Sequence, residues 1–286
     1  MKLVRYLTLA VVAPAVAQTF GPSEIAVFAP GDDEFQRLTT NNYSDEEPEW
    51  SSDGARILFD SAAAGQNDLY VMNADGTEVV RLTDGPAKED HGTWSPDGSL
   101  IAYQHELDGN TDVYVMNADG TGNKRLTNHS ARDGWPDWSP DGTQIVFSSD
   151  RAGNREIYLM NFDGSEQMRL TWSDRDNTDP TFSPDGTLIA FNSERDGNSE
   201  IYVMRVDGSM QTRLTQNEFY DERPDWSPDG RQILFSRREN RQAEAALWVT
   251  DAVGSSFSRV SPPGHDFGRA HWGQNGLIVS QHRPLD

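Results

Sequence analysis

The stretch Pro136-Asp137-Trp138-Ser139-Pro140-Asp141-Gly142, followed by Ile145-Val146-Phe147 and Ile157-Tyr158-Leu159-Met160-Asn161, decides how this sequence folds. Ser-Pro-Asp-Gly suits a tight hairpin: Pro presets φ at the first turn position, Asp bonds back to the backbone, and Gly accepts φ > 0. The β-branched and aromatic runs on either side read as strands. Asp163-Gly164 then marks a second hairpin, and Arg169-Leu170-Thr171 a fourth short strand. Four antiparallel strands in about 40–45 residues are the size of one propeller blade.

The unit recurs along the chain. Trp50, Trp94, Trp138, Phe182 and Trp226 follow one another at 44 residues, and Trp272 comes 46 after Trp226. A lone blade leaves both faces unburied, so the repeats must stack around an axis, with the Trp, Ile-x-Phe and Ile-Tyr-Val positions as shared core. Ile25-Ala26-Val27-Phe28 with Arg37-Leu38-Thr39 matches the last two strands of a unit, and His271-Trp272 with Leu277-Ile278-Val279 the first two. The two halves complete each other. The expected fold is therefore all-β: a six-bladed β-propeller over residues 24–283, closed by a composite blade from both ends of the sequence, which removes the exposed sheet edges.

Met1-Lys2-Leu3-Val4-Arg5, an apolar run from Tyr6 to Val12, and Ala15-Val16-Ala17 before Gln18 have the order of a secretory signal over residues 1–17. The apolar run is shorter than the roughly 20 residues needed to span a bilayer. A periplasmic or secreted, monomeric protein with no membrane span is expected. The chain has no cysteine, so disulfides, thiolate metal sites and thiol nucleophiles are excluded. Its formal charge of −22 argues against nucleic acid or anionic lipid as a partner and favours cations or a basic protein or envelope component.

The string Pro-x-Trp-Ser-Pro-Asp-Gly, Ile-x-Phe, Ser-x-Arg-x-Gly-Asn, Ile-Tyr-x-Met-Asn, Asp-Gly, Arg-Leu-Thr resembles the propeller repeat of the TolB family over about residues 24–283. The resemblance implies a six-bladed propeller of the bacterial envelope, with calcium in the channel. TolB carries a smaller α/β domain ahead of its propeller, whereas about six residues separate the expected signal from the first strand here. The propeller is expected without that domain. Similar repeats cap prolyl-oligopeptidase-type peptidases, but no Gly-x-Ser-x-Gly nucleophile turn accompanies them in this sequence.

Positions that repeat in every blade are expected to serve the blade. These include the turn Asp residues 53, 97, 141, 185 and 229, the acids Glu24, Asp68, Asp112, Glu156 and Glu200, and Arg37, Arg81, Arg125, Arg169, Arg213 and Arg259. The loops leading into the inner strands (40–49, 84–93, 128–137, 172–181, 216–225, 262–271) are less regular. They hold 17 acidic and five basic residues, −12 of the total charge. Asp45, Asp90, Asp133, Asp176, Asp221 and Asp266 precede the inner-strand aromatics by four to six residues and are expected to ring the channel mouth, with calcium as candidate cofactor. A solvated acidic surface is the alternative. Tyr43, Trp135, Trp172, Phe219, Tyr220 and Phe267 are aromatics without equivalents in most blades, and with His265 they mark a candidate binding surface.

The expected function is a non-catalytic binding scaffold whose acidic face meets a protein, cationic or glycan partner. The alternative is a calcium-dependent hydrolase or lyase with its active site at the channel mouth, for which a His beside the ion is required. His91, His265 and His271 lie in the mouth loops.

Overall fold

The computed structural model describes residues 21–284, so the expected signal segment lies outside it. The described residues form six four-stranded antiparallel sheets and no helix, hence none long and apolar enough to cross a membrane. Blades 1 to 5 start with the inner strands Asp45–Trp50, Lys88–Trp94, Asp133–Trp138, Asn177–Phe182 and Tyr220–Trp226. Blade 6 is composite: Asp266–Trp272 and Ile278–Arg283 are followed in space by Glu24–Phe28 and Gln36–Arg37. The seam is a regular ladder running from Glu24 opposite His282 to Phe28 opposite Ile278. Gln281 Nε2 also donates to Ser23 Oγ at 2.9 Å.

The turn forms as its chemistry dictates. Asp141 Oδ1 accepts from Ser139 Oγ at 2.6 Å and from Thr143 N at 3.0 Å, while Gly142 sits at φ 69°. The same bonds hold Asp97 ionised, with its carboxyl lowered to about 2 by Ser95 and Ser99. The turn Asp residues are thus structural.

Apolar residues gather into six clusters, each straddling two neighbouring blades. In one, Trp138, Ile145, Phe147 and Met160 of blade 3 meet Ala102, Val113 and Leu126 of blade 2. The blades also touch through backbone. Gly164 has φ 92°, and a Cβ there would lie 2.6 Å from Leu126 O in the preceding blade. No other residue type fits so close an approach. The repeating acids and arginines pair at the outer side of the sheet in blades 1 to 4: Glu156 accepts from Arg169 Nη2 and Ser173 N, both at 2.7 Å, and Glu200 accepts from Arg213 at 2.8 Å, whereas blade 5 has Ala246 in the acid's place and Arg259 bonds the Ser261 and Pro262 carbonyls. Burial of these carboxylates is offset by charged partners, which is why the pattern repeats.

Candidate functional site

Every inner strand carries a bulge. The register with the second strand slips between Glu46 and Glu49, Asp90 and Thr93, Gly134 and Asp137, Thr178 and Thr181, Glu222 and Asp225, and Phe267 and Ala270. The first bulged residue is left-handed in five blades: Glu47, His91, Trp135, Asp179 and Arg223 have φ of 53, 52, 51, 49 and 58°. Such φ values are uncommon for residues other than Gly, Asn and Asp, and they cluster at sites that need a side chain re-aimed. Here the bulge sends five unlike side chains to the channel mouth. All five line its outer cavity of about 450 Å³, which shares Glu47, His91 and Arg223 with an inner cavity of about 190 Å³.

At the mouth, His91 N donates to Asp60 Oδ2 at 3.2 Å, and its ring lies against Asp90 and Glu47. Asp60, Asp90 and His91 each offer one ligand atom within 4.8 Å of the others. Asp60 Oδ1 and Asp90 Oδ1 are buried without a hydrogen-bond partner; Nδ1 of His91 comes within 3.2 Å of Asp90 but is not aligned to donate. Burial, then the charges of Asp90 and Glu47, push the Asp60 carboxyl well above its ordinary range. Burial acts the same way on Asp90, but His91 and Lys88 outweigh it and hold Asp90 below the ordinary range. Of the two, Asp60 is thus the carboxyl that binds a proton more readily. Burial would also raise Glu47, yet His91, Arg269 and Arg223 together keep it low, with Arg269 Nε 3.0 Å from Oε2.

Below the mouth lies a second ring, one residue per blade: Glu49, Thr93, Asp137, Thr181, Asp225 and His271. Acids occupy the odd blades. Glu49 Oε1 accepts from Trp94 N at 2.9 Å, Asp137 Oδ2 from Phe182 N at 2.7 Å, and Asp225 Oδ2 from Trp272 N at 2.6 Å. Each acid thus holds the next blade. These carboxyls are half-buried by surface exposure but enclosed by protein on the channel wall. Desolvation raises Glu49 to about 8 and Asp137 to about 7, and Asp225 also rises.

The expected ring of six Asp residues is not what the channel displays. Asp45, Asp133, Asp221 and Asp266 line neither cavity. They sit inside the blades, where Asp45 accepts from Asn41 at 2.8 Å, Asp133 from Arg151 at 2.8 Å, Asp221 from Arg237 at 2.7 and 2.8 Å, and Asp266 from Ala245 N at 2.7 Å. Asp90 and Asp176 do line the mouth, because each is one residue out of register with those four. Glu89 and Asn177 are the true equivalents, opposite His105 and Ser193 as Asp133 is opposite Ser149. Of the candidate binding residues only Trp135 lines these cavities, with Arg155 stacked 4.5 Å from its ring and His91 edge-on at 5.3 Å.

The others lie elsewhere. Tyr43 and Trp172 are exposed in outer loops; Phe219 and Tyr220 lie beside Arg237 and Arg241; His265 and Phe267 stack with Phe35 and His282 at the seam. Sequence reading missed Glu47, Asp60, Asp179 and Arg223. The one available signal was the proline that follows the bulged residue at 48, 136, 180 and 224.

Fold and site together define a six-bladed propeller with a charged, bulge-lined channel. The profile of the TolB β-propeller domain matches residues 10–106, 86–191 and 175–283, and the chain belongs to that family. It is similar to a protein of Agrobacterium tumefaciens assigned as TolB, at 24% identity and a TM-score of 0.82, over 94% of this chain and 100% of that one. TolB from Acinetobacter baumannii superposes with a TM-score of 0.69 at 19% identity, over 92% of this chain and 64% of that one. An oligogalacturonate lyase in complex with manganese gives a TM-score of 0.57 at 12% identity, over 93% and 98%. At these identities the likeness is one of fold. Comparison with curated protein sequences returns no match.

Proposed function

We propose that the protein is an exported, monomeric binding module that takes a cationic group at its channel mouth. The observation that carries this reading is the cluster of Asp60, Asp90 and His91, each with a ligand atom within 4.8 Å of the others, in which Asp60 Oδ1 is buried without a partner and Asp90 Oδ1 faces only the His91 ring at 3.2 Å. A buried acceptor without a partner is costly, and a cation relieves that cost. The outer cavity is lined by eight carboxyls and four Lys or Arg side chains, so its field also favours a basic protein segment. The remaining candidate bases are committed: Glu47 to Arg269, and the inner ring to blade-to-blade hydrogen bonds.

Two carboxylates and an imidazole fit a manganese- or zinc-like ion better than calcium, which takes six to eight oxygens. Calorimetric titration of the chelator-treated protein with manganese, calcium and magnesium tests this. Saturable manganese heat that Asp60→Asn removes is expected. Identical curves for the three ions, or no saturable heat, would sink the proposal.

A second reading, a metal-dependent lyase, draws on His91 standing beside the two carboxyls and on the fold shared with a manganese-bound lyase. The net negative mouth opposes a polyanionic substrate. Formation of unsaturated product from oligogalacturonate with manganese present would establish this reading over the first. Export rests on residues 1–17, and a mature protein beginning at Gln18 in envelope extract is expected.

A further inference from the structure

Blades 3 and 4 contain the same arginine in the same setting. Arg151 donates to Ser149 Oγ at 2.9 Å, Gln167 Oε1 at 2.7 Å and Asp133 Oδ2 at 2.8 Å, and lies over Phe147 and Tyr158. Arg195 donates to Ser193 Oγ at 2.8 Å, Gln211 Oε1 at 2.6 Å and Asn177 Oδ1 at 2.9 Å, and lies over Phe191 and Tyr202. Two differences separate them: in blade 4 the bonded carboxylate is an amide, and Ala152 is replaced by Asp196, which accepts from the Tyr202 hydroxyl and lies near Arg213 rather than bonding Arg195. The donor geometry is retained but the directly bonded carboxylate is gone, so Arg195 is held in place with no ion pair of its own among the described residues.

Arg195 lines an open pocket of about 450 Å³ together with Arg169, Trp172, Ser173, Asp174 and Arg175. The pocket shares no residue with the two channel cavities. Trp172 is 68% exposed, and its equivalents in the other blades are Thr40, Asp84, Asn128, Gln216 and Pro262. Arg169 lies over the indole at 5.4 Å from its ring centre and is already paired with Glu156. Arg175 is exposed, and its guanidinium has no partner among the described residues. A protein of charge −22 thus presents, at one place, an exposed indole beside two arginines without carboxylate partners.

We infer that this pocket binds a sugar ring that carries a carboxylate. The apolar C–H face of such a ring stacks on the indole, its carboxylate meets Arg195 and Arg175, and its hydroxyls meet Asp174 and Ser173. A neutral sugar leaves the two guanidinium groups unused, and a simple carboxylate leaves the indole unused. Each part of the pocket therefore has a counterpart only in an acidic sugar.

The test is calorimetric titration of the full chain with glucuronic, galacturonic and N-acetylneuraminic acids, and with glucose, acetate and polyglutamate. Saturable binding of at least one acidic sugar is expected, with none for glucose. Asn177→Asp gives Arg195 the partner that Arg151 has and should weaken binding about tenfold or more while removing no pocket residue. Trp172→Ala and Arg175→Gln alter exposed side chains and should weaken it without lowering the melting temperature. The inference is overturned if no acidic sugar binds, if glucose binds as tightly, or if acetate or polyglutamate matches the sugar acids. It is equally overturned if binding survives both Asn177→Asp and Arg175→Gln unchanged.

Discussion

His271 Nδ1 accepts the backbone N–H of Trp50 at 3.1 Å, joining the last blade to the first across 221 residues of sequence. The ring proton must then sit on Nε2. Burial lowers the affinity of His271 for a second proton, Asp225 opposes this and Arg269 reinforces it, with burial prevailing. The unfolded chain takes up that proton near pH 6.5, so this residue's contribution to stability fades as pH falls below about 6.5. His271→Leu leaves the Trp50 N–H unpaired and should cost about 1–3 kcal/mol at pH 8. Urea denaturation at pH 8 and pH 5 measures it, and the variant should lose less than the parent on going to pH 5.

Glu49 sends the pH dependence the other way. A carboxyl raised from 4.5 to about 8 binds its proton more tightly folded than unfolded, so stability falls as pH climbs between those values and levels off above. Asp137 and Asp225 add in the same direction. Glu49→Gln keeps a carbonyl to accept from Trp94 N and never ionises. The variant should melt higher than the parent at pH 8.5 and show a flatter profile between pH 5 and 8.5; an unchanged profile would mean the ring is ionised throughout.

Trp138 and Trp135 stand three residues apart and should behave oppositely. Trp138 is 5% exposed in an interblade cluster, and its replacement by Ala should cost about 3–5 kcal/mol. Trp135→Ala removes a stack with Arg155 at the mouth, a contact worth about 0.5–1 kcal/mol at an exposed site. Chemical denaturation of both variants checks the contrast.

A chain lacking its first 40 residues loses Glu24–Phe28 and Gln36–Arg37, leaving Ile278–Arg283 as an open sheet edge. Exposed edges recruit other chains. The truncated protein should melt lower and self-associate, as read by size-exclusion chromatography with light scattering. A monomer of unchanged melting temperature would contradict the seam.

Blade number, hairpin turns and the composite blade were legible because they recur: the same residues at the same spacing report the same backbone. Trp138 and Phe182, 44 apart, identify one position twice. The channel mouth was not legible for the opposite reason. Glu47, His91, Trp135, Asp179 and Arg223 share a backbone conformation but not one chemistry, so their own residue types do not mark them and only the proline after four of them does. Counting back to an Asp instead selected Asp133 and Asp221, which the unbulged part of the strand turns toward Arg151 and Arg237. One extra residue in the bulge flips the facing of everything before it, and residue type alone does not reveal where it falls.

The acids of the inner ring recur every 88 residues, at 49, 137 and 225, rather than every 44. They join blade 1 to 2, 3 to 4 and 5 to 6, and His271 joins 6 to 1. In this layer blades 4 and 5 are joined only by a longer bond from Trp226 Nε1 to Thr181 O at 3.3 Å, and the described residues place no side-chain bond between blades 2 and 3. The circle is mechanically a chain of unequal segments: one arc of four blades, 5-6-1-2, and one arc of two, 3-4. Its two hinges flank blades 3 and 4, so any widening of the channel would swing that pair outward against the rest while the junction of the chain ends stays shut.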